Sequence, residues 1–105
     1  FRSTTIVPGY SAAKAALMAL TRNLAVHWVA DGIRVNAVAP GLIDTPMTAP
    51  MKAFPKMLAA EIGRGAMARM GSPDEVAAAV QFLSSEASAF TTGSVLAVDG
   101  GFLAR

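Results

Sequence analysis

The single tyrosine of this chain, Tyr10, stands four residues ahead of Lys14 in the stretch Gly9-Tyr10-Ser11-Ala12-Ala13-Lys14. A phenol titrates at about 10, so at neutral pH it is a poor base and a slow acid. An ammonium beside it favours the phenolate, lowers that pKa and brings the group closer to a working range. Positions i and i+4 share a helix face. Such a pair could pass a proton to or from an alcohol or carbonyl oxygen while hydride moves elsewhere. The spacing alone fits equally well a helix that starts with a tyrosine and happens to carry a lysine.

The sequence around the pair reads as alternating helices and strands. Ala13, Leu17, Leu20, Leu24 and Trp28 recur at spacings of three and four, which predicts a helix over 10–31. Its other side is also weakly polar, with Ala16, Met18, Ala19 and Val26, the mark of a helix buried on two sides. Gly32 suits a left-handed C-terminal cap. The run Ile33-Arg34-Val35-Asn36-Ala37-Val38-Ala39 changes to an alternating, β-branched pattern closed by Pro40-Gly41, predicting a largely buried strand over 33–39. Prolines and glycines then punctuate 42–71, which reads as a mobile excursion around a short helix near 55–63.

Ser72-Pro73-Asp74-Glu75 carries a helix start signal. Ser72 can cap, Pro73 fits the first helical position, and Glu75 completes a capping box. A helix over 73–87 follows, with Val76, Val80 and Leu83 as its apolar stripe, and then a short apolar strand over 94–98. Strand, helix, strand is a βαβ unit, so the two strands should run parallel. Two parallel strands leave both outer edges unpaired and need cover on both faces. Further strands are therefore expected from outside these residues.

Composition points the same way. The chain has 105 residues, 53% of them hydrophobic and 15% charged, which is too little polar surface for so small a domain to stand alone. It begins at Phe1 with no initiation region, so the expectation is that either something upstream was removed or this is part of a longer chain. The absence of cysteine excludes disulfides and thiolate metal sites, and one histidine argues against a histidine-based one; no metal site is expected. A net charge of +2 without a basic cluster gives no nucleic-acid footprint. Lys14, Arg22 and His27 interrupt the long apolar run, so no membrane span is expected. No signal peptide is apparent, and a cytoplasmic protein fits these features.

Three motifs now stand in order: Tyr10-Ser-Ala-Ala-Lys14, Ile33-Arg-Val-Asn-Ala-Val-Ala-Pro-Gly-Leu-Ile-Asp-Thr45, and the run from Gly71 through Val98-Asp-Gly-Gly101. Together they closely resemble the short-chain dehydrogenase/reductase family, over the whole chain, as the C-terminal part of a domain about twice as long. The resemblance implies an α/β fold, a doubly wound Rossmann-type parallel sheet incomplete in these residues. It implies an NAD or NADP cofactor and a small-molecule alcohol or carbonyl substrate. Tyr10 matches the family's acid/base, and Lys14 the lysine that also bonds the nicotinamide ribose. Pro40 and Gly41 match the turn that passes the nicotinamide. Ile43 and Thr45 match the positions that contact its carboxamide, by backbone and by hydroxyl respectively. The family's glycine-rich turn, its Asn-Ala-Gly motif and its catalytic serine would precede this segment. These residues alone are therefore expected to be inactive.

Other residues have plainer readings. His27 is expected at a helix surface or interface, Asn36 beside its strand satisfying backbone groups, and Asp44 and Asp99 in turns. Met47, Met51, Met57, Met67 and Met70 crowd the excursion with Phe54. Methionine adapts to irregular apolar partners, so they fit either a lid over a hydrophobic substrate or gap-filling in a core. Lys52, Lys56, Arg64 and Arg69 there read as a solvated face. The weakly polar second face of the first helix predicts self-association through it, and the family resemblance implies a homodimer or homotetramer. The competing function is a non-catalytic association module that retains this helix.

Overall fold

The computed structural model describes residues 8–104, with side chains described from residue 12 onward. Helix α1 spans Pro8–Trp28 and tightens into a 3-10 turn over Val29–Asp31, closed by Gly32 at φ 75°. Strand β1, Ala37–Pro40, and strand β2, Val95–Val98, form a two-stranded sheet. They are parallel, with Ala37 opposite Val95 and Pro40 opposite Val98. Between them lie a 3-10 turn over Ala49–Ala53, helix α2 over Pro55–Gly63 and helix α3 over Pro73–Leu83, which packs on both strands. The parallel βαβ unit expected from the sequence is present.

Helix α3 starts as its sequence dictates. The Ser72 hydroxyl accepts the Glu75 N–H, and Glu75 returns a carboxylate oxygen to the Ser72 N–H at 2.9 Å. Val76, Ala79 and Leu83 turn partly inward, while Val80 is 48% exposed. The helix ends at Leu83, short of 87. Ser85 Oγ donates to the Phe82 carbonyl at 2.8 Å, competing with helix continuation. The chain then drops into a 3-10 turn over Glu86–Ser88.

Strand β1 likewise begins at Ala37 rather than 33, and residues 34–36 are held mostly by bonds that involve side chains, with the Val35 carbonyl also accepting the Gly93 N–H at 2.7 Å. The Val35 N–H donates to Thr92 Oγ1. Asn36 donates from Nδ2 to the Thr91 carbonyl and accepts the Ser94 N–H on Oδ1, both at 3.0 Å, which is the backbone role expected of it. Arg34 does most. Its Nη1 reaches the Leu83 carbonyl, Ser88 Oγ and the Thr91 carbonyl at 3.0–3.1 Å, and its Nη2 reaches the Ser85 carbonyl at 3.1 Å. One side chain thus satisfies the end of α3, the turn after it and the entry to β2.

Helix α1 differs from its expected stripe. The buried positions are Thr21 and Ala25, with Lys14, Met18 and Leu24 half-buried; Leu17, Leu20 and Val26 face outward. The large residues have no surface within the described chain to pack on. Ala25 is small enough to sit against Gly93, where an added Cβ would be 3.4 Å from its own. Ala25 and Ala39 are the buried apolar residues among those described, so the shared core is thin. The structure is accordingly elongated, 50 × 27 × 25 Å. Among the described residues no helix is long and apolar enough to cross a membrane.

Charge-assisted hydrogen bonds to a half-buried guanidinium each contribute more than neutral ones. Replacing Arg34 by methionine in the full-length protein should cost about 2–4 kcal/mol, read as a lowered denaturant midpoint. Lysine should recover a minor part, because an ammonium lacks the planar fork. A midpoint unchanged by Arg34→Met would show that these bonds hold nothing together.

Candidate functional site

The C-terminal ends of parallel strands are where α/β proteins build sites, because the chain leaves the sheet there in loops. Four of the six candidate residues, Pro40, Gly41, Ile43 and Thr45, lie at that end of β1. Gly41 is fixed by its neighbour strand. Its N–H donates to the Val98 carbonyl at 2.9 Å, and a Cβ on it would stand 2.7 Å from the Asp99 Cα. That contact is backbone and cannot swing away. The need for glycine here therefore has a cause inside this chain as well as the one expected from a passing ligand. Asp99 itself closes a turn, accepting the Gly101 N–H on Oδ1 at 2.9 Å and the Leu103 N–H on Oδ2 at 3.1 Å.

Beyond Gly41 the chain forms a short parallel bridge between Ile43 and Gly71. The Gly71 N–H donates to the Leu42 carbonyl and the Asp44 N–H donates to the Gly71 carbonyl, both at 2.9 Å. In an extended segment alternate peptide groups point to opposite sides. The N–H and C=O of Ile43 therefore face away from Gly71. The Ile43 carbonyl is 2.7 Å from Thr48 Oγ1, which also accepts the Thr45 N–H at 3.0 Å. Among the described residues neither the Ile43 N–H nor the Thr45 hydroxyl has a partner. Thr48 had no role in the sequence reading; its signal was the Thr-x-x-Thr spacing of a hydroxyl-closed turn. Asp44 does more than form a turn, pairing with Lys52 at 3.2 Å across a solvent-exposed gap.

The excursion returns along Arg64–Gly71, leaning on the C-terminal turn. The Met67 N–H donates to the Gly100 carbonyl at 2.8 Å, and the Arg64 guanidinium lies 4.9 Å above the Phe102 ring. A cavity of about 290 Å³ opens between this limb and the strand ends, lined by Ile43, Met67, Arg69, Glu75 and Asp99 among others. Arg69 and Glu75 meet there fork to fork, at 2.9 Å on both arms. The guanidinium bond, with help from the Ser72 N–H, holds the Glu75 carboxyl down at about 2.

The remaining two candidates share α1. Lys14 is half-buried on the line that continues through Met18, Thr21 and Ala25. Position 10 falls on that same line one turn earlier, and the tyrosine side chain lies outside the described part of the structure.

Residues 2–103 match the family model described as enoyl-(acyl carrier protein) reductase. A cis-4-hydroxycyclohexanecarboxylate dehydrogenase of Sinomonas cyclohexanicum is 50% identical over 95 residues, which cover 90% of this chain and 37% of that protein. A crystal structure of a protein assigned as a 2-deoxy-D-gluconate 3-dehydrogenase from Agrobacterium tumefaciens, with NADP bound, superposes with a TM-score of 0.88 at 44% identity. The match covers 93% of this chain and 40% of that one. A 4-hydroxyisoleucine dehydrogenase complexed with NADH superposes at 0.85 with 33% identity, over 91% of this chain and 40% of its own. Parallel strands, crossover helix and these likenesses define an α/β protein of the Rossmann type. The chain belongs to the short-chain dehydrogenase/reductase family. It spans about two-fifths of the length of each of these three relatives.

Because the folded-state pKa of Glu75 is depressed from 4.5 to about 2, its contribution to stability is complete above 4.5 and is lost as pH falls toward 2. Wild type should therefore exceed Glu75→Gln in stability by a constant margin above that range. The margin should close on acidification, measured by denaturant titration across pH. A margin that persists unchanged at pH 2 would contradict the pairing.

Proposed function

We propose that this chain is the C-terminal portion of one Rossmann-type domain of an NAD- or NADP-dependent oxidoreductase acting on a small alcohol or carbonyl compound. The observation that carries the reading is the turn after β1. Among the described residues it leaves one backbone donor, Ile43 N–H, and one hydroxyl, Thr45, without a partner at the C-terminal end of a parallel strand. That pattern fits the carboxamide of a nicotinamide, which offers an acceptor and donors within one planar group. The bound dinucleotide supplies hydride transfer. Pro40 and Gly41 give the close backbone surface beside it.

Tyr10 is the group that gives a proton to the carbonyl oxygen or takes one from the alcohol. Lys14, one turn on and half-buried, sets an ammonium on the same helix line as the phenol and bonds the ribose. Relatives named for cis-4-hydroxycyclohexanecarboxylate and for 4-hydroxyisoleucine support a small hydroxylated substrate. The exposed Leu17, Leu20 and Val26 of α1 support a protein that associates through this helix as a homodimer or homotetramer.

In the full-length protein Tyr10→Phe should lower kcat by about 100-fold or more and leave cofactor affinity within a few-fold, because the phenol handles the proton while other groups hold the dinucleotide. Lys14→Ala should weaken both. Steady-state kinetics with a cofactor fluorescence titration separates the two effects. A Tyr10→Phe variant that keeps most of its kcat would remove Tyr10 from the chemistry.

A further inference from the structure

Gly71 is held by its own peptide groups on one side and through its neighbours on the other. Its N–H and C=O go to the Leu42 carbonyl and the Asp44 N–H, the two peptide groups that flank Ile43. The carbonyl before it, that of Met70, accepts from Arg69 Nη1 at 3.0 Å. The N–H after it, that of Ser72, donates to Glu75 Oε1 at 2.9 Å. Arg69 and Glu75 close the loop on each other with two parallel bonds of 2.9 Å. Glu75 therefore does two tasks with one carboxylate: it caps α3 and it fastens the last residues of the excursion to that helix.

We propose that Arg69 and Glu75 are positioning residues, a buckle that fixes the Ile43–Gly71 neck and thereby aims the Ile43 N–H at the nicotinamide carboxamide. This rests on the reading of Ile43 given under the proposed function. The two side chains are about half exposed, and a lone exposed ion pair is worth little. Here the geometry is bidentate, and both partners also hold backbone groups that bracket Gly71, so a loss at either residue frees more than one bond. Glu75 remains ionised far below neutral pH, so the buckle stays fastened over the range in which such an enzyme works. The outward faces of Arg69 and Glu75 meet solvent, which is why no core contact substitutes for them.

The test uses the full-length protein with Arg69→Met and Glu75→Gln, the latter an amide that can still accept the Ser72 N–H. Residue-resolved hydrogen exchange without cofactor should show the Asp44 and Gly71 amides exchanging up to about fivefold faster in either variant. The Ala37 amide, bonded to the Ser94 carbonyl in the sheet, should keep its wild-type rate. The dissociation constant for NADH or NADPH should rise by a similar factor, and Arg69→Lys should recover little of it. Neck amides that exchange at the wild-type rate, or an Ala37 amide that loosens as much as they do, would overturn the buckle. Loosened neck amides with unchanged cofactor affinity would overturn its positioning role. A wild-type protein that binds neither nucleotide would overturn the reading beneath it, a failure visible before any variant is made.

Discussion

A single guanidinium, that of Arg34, ties together the last carbonyl of α3, the turn that follows it and the loop that leads into β2. The fold depends on this because it has so little core. With Ala25 and Ala39 as the buried apolar residues among those described, hydrophobic burial cannot by itself set where α3 stops or where β2 begins. A directional group with five donors in a fixed plane can. Ser88, almost fully buried, is kept in place by the same fork and by the Ser85 carbonyl. The register of β1 against β2 follows, since Arg34 stands three residues before the first paired residue of β1. That register brings Gly41 against Asp99 at the far end of the pair.

Much of this was legible in the residues. The parallel pair follows from strand, helix and strand in order, and the capping box of Ser72 and Glu75 from four consecutive side chains. Asn36 took the backbone-satisfying role that a polar residue beside a strand is expected to take. The missed features share a physical cause: a residue's long-range partner does not show in its local pattern. Arg34 lies 49 to 57 positions from its acceptors, and nothing in Ile33-Arg34-Val35 marks them. The same reason shortened β1, where residues 34–36 reach partners near Thr91, Thr92 and Ser94; α3 instead ends on a local bond, from Ser85 Oγ to the Phe82 carbonyl. The stripe on α1 was misplaced because the periodicity of a nearly all-apolar helix does not say which line faces inward. Small residues decided it.

The candidate site divides along the same line. The turn after Pro40 is placed partly by local chemistry, the Thr45–Thr48 hydroxyl turn, and partly by the bridge to Gly71, which no local pattern announces. The proposed acid/base pair spans one turn of helix by itself. Spacing fixes Lys14 relative to position 10, while its placement against the sheet depends on how the helix as a whole is seated.

That seating has a mechanical consequence. Helix α1 is buried at Thr21 and Ala25, and Lys14 lies eleven residues before Ala25 on the same line. At 1.5 Å of rise per residue this is a lever arm of about 16 Å. A tilt of about 10° about the fulcrum at Ala25 would sweep the lysine through roughly 3 Å, while displacements near 1 Å already cost catalysts heavily. If Lys14 has the role proposed for it, aim at that range calls for a firm bearing along the first half of the helix, where Lys14 and Met18 are already half-buried. The exposed Leu17 and Leu20 are the surface such a bearing would grip, so whatever packs there sets the accuracy of the lysine.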